Sequence, residues 1–554
     1  MIQTLKENLK AEIKQAVLTC GYITESDDLN VILENSKDVS HGDYSTNIAM
    51  QLTKIAKKNP RMIAEEILNN FNAESANVEK IEIAGPGFIN FFMKKSAFTQ
   101  SIKNIIELGH EFGTSKSGNG LKYNVEYVSA NPTGDLHLGH ARGAALGDSL
   151  CRILTKAGYD VTREYYVNDA GNQIDMLAES MYSRYCELFG VEYPLPENGY
   201  HAQDIVEVAK KIKELDGDKW LNKDRSEWVE YFKDEGIEMK LDAIRKDLDL
   251  FRVHFDSWMH ERFFYQDNAA RINQCIESLK QKGLTYEKDG ALWFQSTKFG
   301  DDKDRVLKKN TGLLTYLTPD IANHVYKFER GYDTLINLWG ADHHSYVKRM
   351  KCSLEALGYN SDKMLVDLIQ MVRMVSNGEE VKMSKRTGNA ITIRELCEDV
   401  GVDAARWFFV SKELNTQMDF DMDLAKQKNN DNPVYYVQYA YTRMYNILHK
   451  EGTPAFEKKD SYTLLTDPKE IALLKQISEF PKKVEDAAKF RAVNRICQYC
   501  HDLAKAFHSY YNSCRVSDPA NPELTNERLG LVNACMVTMA NALDLIGVSA
   551  PEKM

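Results

Sequence analysis

Two histidines, His137 and His140, stand just past the alternating apolar run "VEYVSA" and are separated only by Leu138 and Gly139. The stretch between, "NPTGD", holds Pro132 and Gly134, which shape a turn. A small-residue helical pattern, "ARGAALGD", follows. A strand that turns into a helix start directs backbone N–H groups and the positive end of the helix dipole at an anion. At i and i+3 the two imidazoles share a face and can donate to phosphate oxygens, and Gly139 lets a flat ring approach closely. A second cluster lies in "SNGEEVKMSKRTGNAITIREL", where Lys382 and Lys385 flank Met383 and Ser384. Two ammonium groups there can neutralise a polyphosphate as pyrophosphate leaves. Alone, these patterns read as a capped helix and a solvated loop. Together, in this order, they predict chemistry on the phosphates of a nucleotide.

Other candidates are weaker. Cys497-Gln-Tyr-Cys500-His501 has a haem-attachment or redox spacing, but Val493, Ile496, Cys500, Leu503 and Phe507 recur at helical intervals, so the pair reads as helix core. Asp342, His343 and His344 invite a metal. Adjacent histidines on a strand would face opposite ways, so a place near the ribose or adenine of the nucleotide is the preferred reading and no metal ligand is assigned.

These residues need elements to hold them. The chain has 554 residues, 43% hydrophobic and 27% charged, which suits several globular domains. No apolar run is long enough to span a bilayer, and the start, "MIQTLKENLKAEIKQAVL", reads as an amphipathic helix. Ten scattered cysteines fit a reducing compartment, so a cytoplasmic location is expected. The net charge is −11, but from Lys426 onward 17 Lys and Arg face 15 Asp and Glu, a net of +2, which leaves −13 for the rest. Local basic surfaces for phosphate contact are therefore compatible with the acidic whole.

Residues 1–112 read as an α+β module, with helical patterns at 1–20 and about 60–70 and two strands around Gly85-Pro86-Gly87. "GTSKSGNG" is a linker. From 113 to 425, strands alternate with helices: "LKYNVEYVSA", "DVTREYYVND", "DTLINLWGAD" and "MLVDLIQMVRMV" are the strand candidates. That alternation predicts an α/β fold with a parallel, Rossmann-like sheet. Charge-rich helical sequence at about 195–300 reads as an insertion. Residues 426–554 read as a helix bundle.

The histidine and lysine motifs resemble the signatures of class I aminoacyl-tRNA synthetases. Within that class the chain resembles the arginyl-tRNA synthetase family, bacterial type, over nearly its full length. "HGDYSTNIAMQLTKIAKKNPRMIAEEI" and "IEIAGPGFINFF" look like that family's N-terminal domain. "YVNDAGNQI", "LLTYLTPDIANH" and "WGADHH" look like its catalytic domain, and "NPVYYVQYAYTR", "AFHSYYNSCRV" and "LDLIGVSAPEKM" like its anticodon-binding domain. The resemblance implies ATP binding by His137, Leu138, Gly139, His140, Asp342, Lys382, Met383, Ser384 and Lys385, with His137, His140, Lys382 and Lys385 catalytic. It implies an arginine pocket of Ser129, Asn131, His140, Glu126, Glu261, Tyr316 and Asp320. Carboxylates and an aromatic face suit a guanidinium. Ala341 stands where some members carry Gln. The resemblance further implies contact of Phe88 and Asn90 with the tRNA elbow, and an anticodon pocket of Tyr436, Ala440, Tyr511 and Met554.

The implied activity attaches L-arginine to tRNA(Arg) in two steps with ATP and Mg²⁺. Arginyl-adenylate forms first, and transfer to the 2′-OH of the terminal adenosine follows. The first step is expected to run well only with tRNA bound. A monomer without membrane contact and without an editing domain is expected. Three alternatives stay open at this point: a class I synthetase for another amino acid such as cysteine, a non-catalytic tRNA-binding relative, and a small-molecule nucleotidyltransferase.

Overall fold

The computed structural model describes the chain except residues 1, 37–40, 133, 198, 202 and 382–389, and the side chains of 2–4 and 204.

The N-terminal part is a four-stranded antiparallel sheet, in the order 34–35, 44–46, 88–93, 78–84, covered by the helices Ile2–Thr19 and Pro60–Asn69. Leu9, Ile13, Ala16 and Val17 recur at helical spacing and are fully buried.

The central sheet has five parallel strands: β1 (Lys122–Glu126), β2 (Asp160–Val167), β3 (Ser257–His260), β4 (Thr334–Gly340) and β5 (Met364–Ile369). Their order is β5-β4-β1-β2-β3, every pair parallel. The chain winds from β1 outward to β3, then returns to the other side of β1. The crevice beyond the carboxyl ends of β1 and β4 is thus the switch point where open sheets bind ligands. The site is carried by helices α1 (Leu138–Lys156), α2 (Arg225–Leu250), α3 (Leu317–Glu329) and α4 (Ile393–Val400).

Two expectations change here. The run "MLVDLIQMVRMV" is two strands, not one. Met364–Ile369 joins the central sheet, and Val372–Ser376 pairs with Met418–Asp421 and Glu379–Glu380 in a separate sheet. The break at Gln370 is held by the buried Arg142, whose guanidinium donates to the Gln370 carbonyl at 2.7 Å. The stretch read as an insertion is not uniformly helical. Within it, β3 is an edge of the central sheet, and residues 285–294 form a hairpin paired with 305–308.

The C-terminal part is a helix bundle: α5 (Pro433–His449), α6 (Pro468–Ser478), α7 (Phe480–Phe490), α8 (Asn494–Ser513) and α9 (Pro522–Leu545). Three of these open on Asn432-Pro433, Asp467-Pro468 and Asn521-Pro522, with the Asn or Asp side chain accepting a backbone N–H of the first turn. Proline at the first helical position lacks only an N–H that would be unpaired anyway. Cys497 and Cys500 lie in the bundle core, where burial pushes both thiols far above their ordinary range.

Candidate active site

The chain leaves β1 at Glu126 and turns sharply. Val128 (φ 68°) and Ser129 (φ 39°) adopt left-handed backbone, a costly state for a β-branched residue and one that clusters at functional sites. α1 then starts with His137 as its N-cap, and the two histidines cap it reciprocally. Gly139 N–H donates to His137 Nδ1 at 3.2 Å, and His137 N–H donates to His140 Nδ1 at 3.2 Å. The rings sit 3.9 Å apart. With each Nδ1 acting as an acceptor, the proton of each neutral ring is on Nε2, the atom left to donate to a ligand. Burial lowers both pKa values, and His137 further lowers that of His140, to about 4. A Cβ on Gly139 would meet the His137 ring at 3.2 Å, so glycine leaves room for that ring to fold back over the helix start.

Lys382, Met383, Ser384 and Lys385 lie outside the described residues; the chain on either side is described. Upstream, Asn377-Gly378, both at positive φ, turns the hairpin between Val372–Ser376 and Glu379–Glu380. Asn377 N–H donates to the Asp423 carboxylate at 2.5 Å. Downstream, Thr392 forms an antiparallel bridge with His137, and Ile393 N–H donates to Leu136 O at 2.9 Å. Thr392 and Ile393, downstream of the lysine motif, are therefore attached directly to the histidine turn.

The carboxylates fall into two groups. Glu126 pairs with the fully buried Lys327, which also lies 3.4 Å from Glu164; Glu164 in turn pairs with Arg330 at 2.6 Å. Ser129 Oγ donates to Glu126 at 3.2 Å and accepts from Tyr166 N–H at 3.1 Å. Glu126 is thus compensated and supports the turn. Glu261 and Asp320 are different. Tyr265 donates to Glu261 and Tyr346 to Asp320, but among the described residues neither carboxylate forms an ion pair. Burial raises both to about 7, and the Asp320 charge adds to the rise at Glu261. Tyr316, 78% exposed, precedes the helix that carries Asp320. Asn131 is exposed and accepts from Asn168 at 3.0 Å. Glu126 and Ser129 thus lie together at the end of β1, and His137 and His140 together at the start of α1, at the two ends of one strand-to-helix connection. Glu261, Asp320 and Tyr316 lie on the neighbouring elements.

Asp342 follows β4 and is exposed. His343 and His344 are not on a strand, as expected, but in a 3-10 turn and the start of a helix, so the opposite-faces argument does not apply there. Among the described residues no three His, Cys, Asp or Glu are grouped to hold a metal ion.

Elsewhere, Phe88 is 39% exposed at a strand start, whereas Asn90 is buried and accepts from Ser45 Oγ at 2.7 Å. In the bundle, Tyr436 packs against His501 and His508, Ala440 is fully buried, and Tyr511 lies under the Arg443 guanidinium at 4.1 Å. Met554 is half exposed at the edge of a 670 Å³ cavity shared with Lys426, Lys428 and Tyr435. Sequence reasoning missed Lys327, Tyr346, Tyr265 and Arg443. A lysine inside an otherwise buried helical run was the available signal for the first.

A parallel sheet with a histidine turn at its switch point, joined to a helical bundle, is the architecture of a class I aminoacyl-tRNA synthetase. Residues 101–432 match the family described as "tRNA synthetases class I (R), catalytic domain". Residues 3–93 match "Arginyl tRNA synthetase N terminal domain" and 437–554 "DALR anticodon binding domain". The chain is 52% identical to the arginine--tRNA ligase of Bacillus subtilis (strain 168) over 555 residues, covering 100% of this chain and 99% of the relative. It is 50% identical to arginine--tRNA ligase 1 of Halalkalibacterium halodurans, over 100% of both chains. Its fold is similar to that of the Thermus thermophilus arginyl-tRNA synthetase, with TM-score 0.74 at 23% identity over 99% of each chain. The chain belongs to the arginyl-tRNA synthetase family.

Proposed function

We propose that this protein attaches L-arginine to tRNA(Arg) in two ATP-dependent steps. The observation that carries the substrate choice is the uncompensated pair Glu261 and Asp320, whose charges act on each other and, through Asp320, on Glu126 at the end of β1. A guanidinium supplies the missing positive charge and enough N–H donors to satisfy both carboxylates. A neutral or shorter ligand would leave them unpaired, which supports discrimination without an editing site.

Ser129, Asn131 and His140 hold the α-amino and carboxylate groups of arginine, and Tyr316 closes over its side chain. His137 and His140 donate Nε2–H to the ATP phosphates, while Leu138 and Gly139 shape the surface under the adenine and Asp342 meets the ribose. Mg²⁺ enters on the phosphates of ATP as part of the substrate. The arginine carboxylate forms a bond to the α-phosphorus as the bond to the β-phosphate oxygen breaks. Lys382 and Lys385, with Met383 and Ser384 between them, stabilise the departing pyrophosphate. The 2′-OH of the terminal adenosine then attacks the acyl carbon and AMP leaves. Catalysis is positioning plus electrostatics.

Phe88 and Asn90 serve the tRNA elbow, with Phe88 making the contact and the buried Asn90 holding the strand. Tyr436, Ala440, Tyr511 and Met554 form the anticodon pocket, where unstacked bases meet aromatic faces. The protein works as a monomer, and it works in the cytoplasm, where ten free thiols, nine of them buried, suit a reducing compartment. In the decisive assay, tRNA(Arg), ATP and labelled arginine yield acid-precipitable arginyl-tRNA. Citrulline, the neutral isostere, yields none. Equal charging by citrulline would overturn the pocket assignment.

A further inference from the structure

No residue of helix α2 has been given a role above, yet the helix touches the flanks of both ATP motifs. It opens on a capping box between Asp224 and Glu227, and its buried face includes Ile237, Leu241, Ile244 and Leu248. Two charged residues sit on that same buried face, Lys240 (6% exposed) and Asp247 (8% exposed). Burying a charge is costly unless it is paired. At i and i+7 they are two turns apart.

Each faces one motif. The Lys240 ammonium is lowered by burial and held up by Asp135, two residues before His137. Asp247 pairs with Arg394 at 2.5 Å, two residues after Thr392. Between these attachments, Thr392 and Ile393 bond directly to Leu136 and His137. A cavity of 390 Å³, lined by Asp135, Thr392 and Arg394 from the motif flanks and by Asp242 and Lys246 from α2, separates the attachments. The apolar face of α2 shares one core with Leu136, Ile391 and Ile393, and the two polar attachments stand at its margin beside the cavity. Loss of one leaves the shared apolar core to hold the helix while the flank loses its polar anchor.

We propose that Asp247, through Arg394, is a positioning residue that fixes residues 392–394, downstream of the lysine motif, against the histidine turn during adenylate formation. The inference rests on the reading that His137, His140 and the lysine segment handle ATP. The role is mechanical: neither Asp247 nor Arg394 meets the substrate.

The test is arginine-dependent ATP–pyrophosphate exchange with tRNA(Arg) present, on the full-length variants R394A, R394K and D247N, with Tm measured in parallel. R394A should lower kcat/KM for ATP by about 10- to 100-fold, the scale of a sub-ångström to 1 Å misplacement, with the KM for arginine within about twofold of wild type. Its Tm should fall by a few degrees, because the buried Asp247 carboxylate loses its partner, so the split between ATP and arginine, read well below the Tm, carries the test. R394K should recover most of the loss. D247N should match R394A; if D247N fails to fold, R394A and R394K still decide. Unchanged ATP kinetics in R394A would overturn the proposal, as would equal losses for ATP and arginine that track a lowered Tm. H140A and K385A serve as references. If they lose exchange while R394A does not, only the positioning role fails. If all three retain it, the ATP reading itself fails.

Discussion

His137 and His140 cap each other: the backbone N–H of His137 donates to the ring of His140, while the His137 ring accepts from Gly139. The pair thus builds the helix end through Nδ1 and presents two Nε2–H donors on the same rings. H140A should remove one cap and one donor together. The expected loss in pyrophosphate exchange is about 10²- to 10³-fold, the scale of losing one preorganised donor. The accompanying stability loss should be about 1 kcal/mol, the usual value of a cap, read from urea denaturation.

The same geometry sets a pH expectation. Because the His140 pKa lies at about 4, below its ordinary 6.5, the ring stays neutral down to acid pH. The unfolded chain binds this proton first, so the contribution of His140 to stability is complete above about pH 6.5 and declines as pH falls toward 4. NMR titration of the His140 ring should show no protonation between pH 8 and 6. A midpoint near 6.5 would contradict the capping tautomers.

Glu261 and Asp320 carry the opposite sign. Both are raised to about 7, so the folded protein holds protons there that the unfolded chain has released. Without arginine, their contribution to stability is therefore greatest at low pH and is lost as pH rises through about 7. The KM for arginine should fall over the same interval, as the carboxylates ionise and accept the guanidinium. E261Q should raise the Tm of the ligand-free protein at pH 8 while raising the KM for arginine by at least about tenfold, the value of a charged hydrogen bond. A flat KM between pH 6 and 8 would count against the assignment.

Lys327 is buried between Glu126 and Glu164. Removing one partner of a buried ion network leaves charge uncompensated, so K327M should cost about 3–5 kcal/mol. Equilibrium urea denaturation reads this directly.

In the bundle, Arg443 covers the Tyr511 ring. Y511A should raise the KM for tRNA by about tenfold or more, since one base–aromatic stack is worth about 1–3 kcal/mol. The KM for arginine should stay unchanged.

Much of this was legible in the sequence, because it depends on local pattern. β1, β2 and β4 lie within alternating or continuous apolar runs, and the histidine pair announces itself by a spacing that fits one helical turn. The split of "MLVDLIQMVRMV" was not legible. Gln370 and Met371 are not turn formers, and the break is enforced by Arg142 from 228 residues away. His343 and His344 were misjudged because β4 ends at Gly340 and the chain coils at once. Lys327, Tyr346 and Asp247 act through distant partners, which no local window contains.

The most direct test of the central claim is ATP–pyrophosphate exchange with arginine, lysine or citrulline, each with and without tRNA(Arg). Exchange with arginine alone among the three, and only when tRNA is present, is the predicted result. Exchange with arginine in the absence of tRNA would keep the amino acid and remove the tRNA-dependent first step. Exchange supported equally by lysine or citrulline, or none with any of them, would contradict the account.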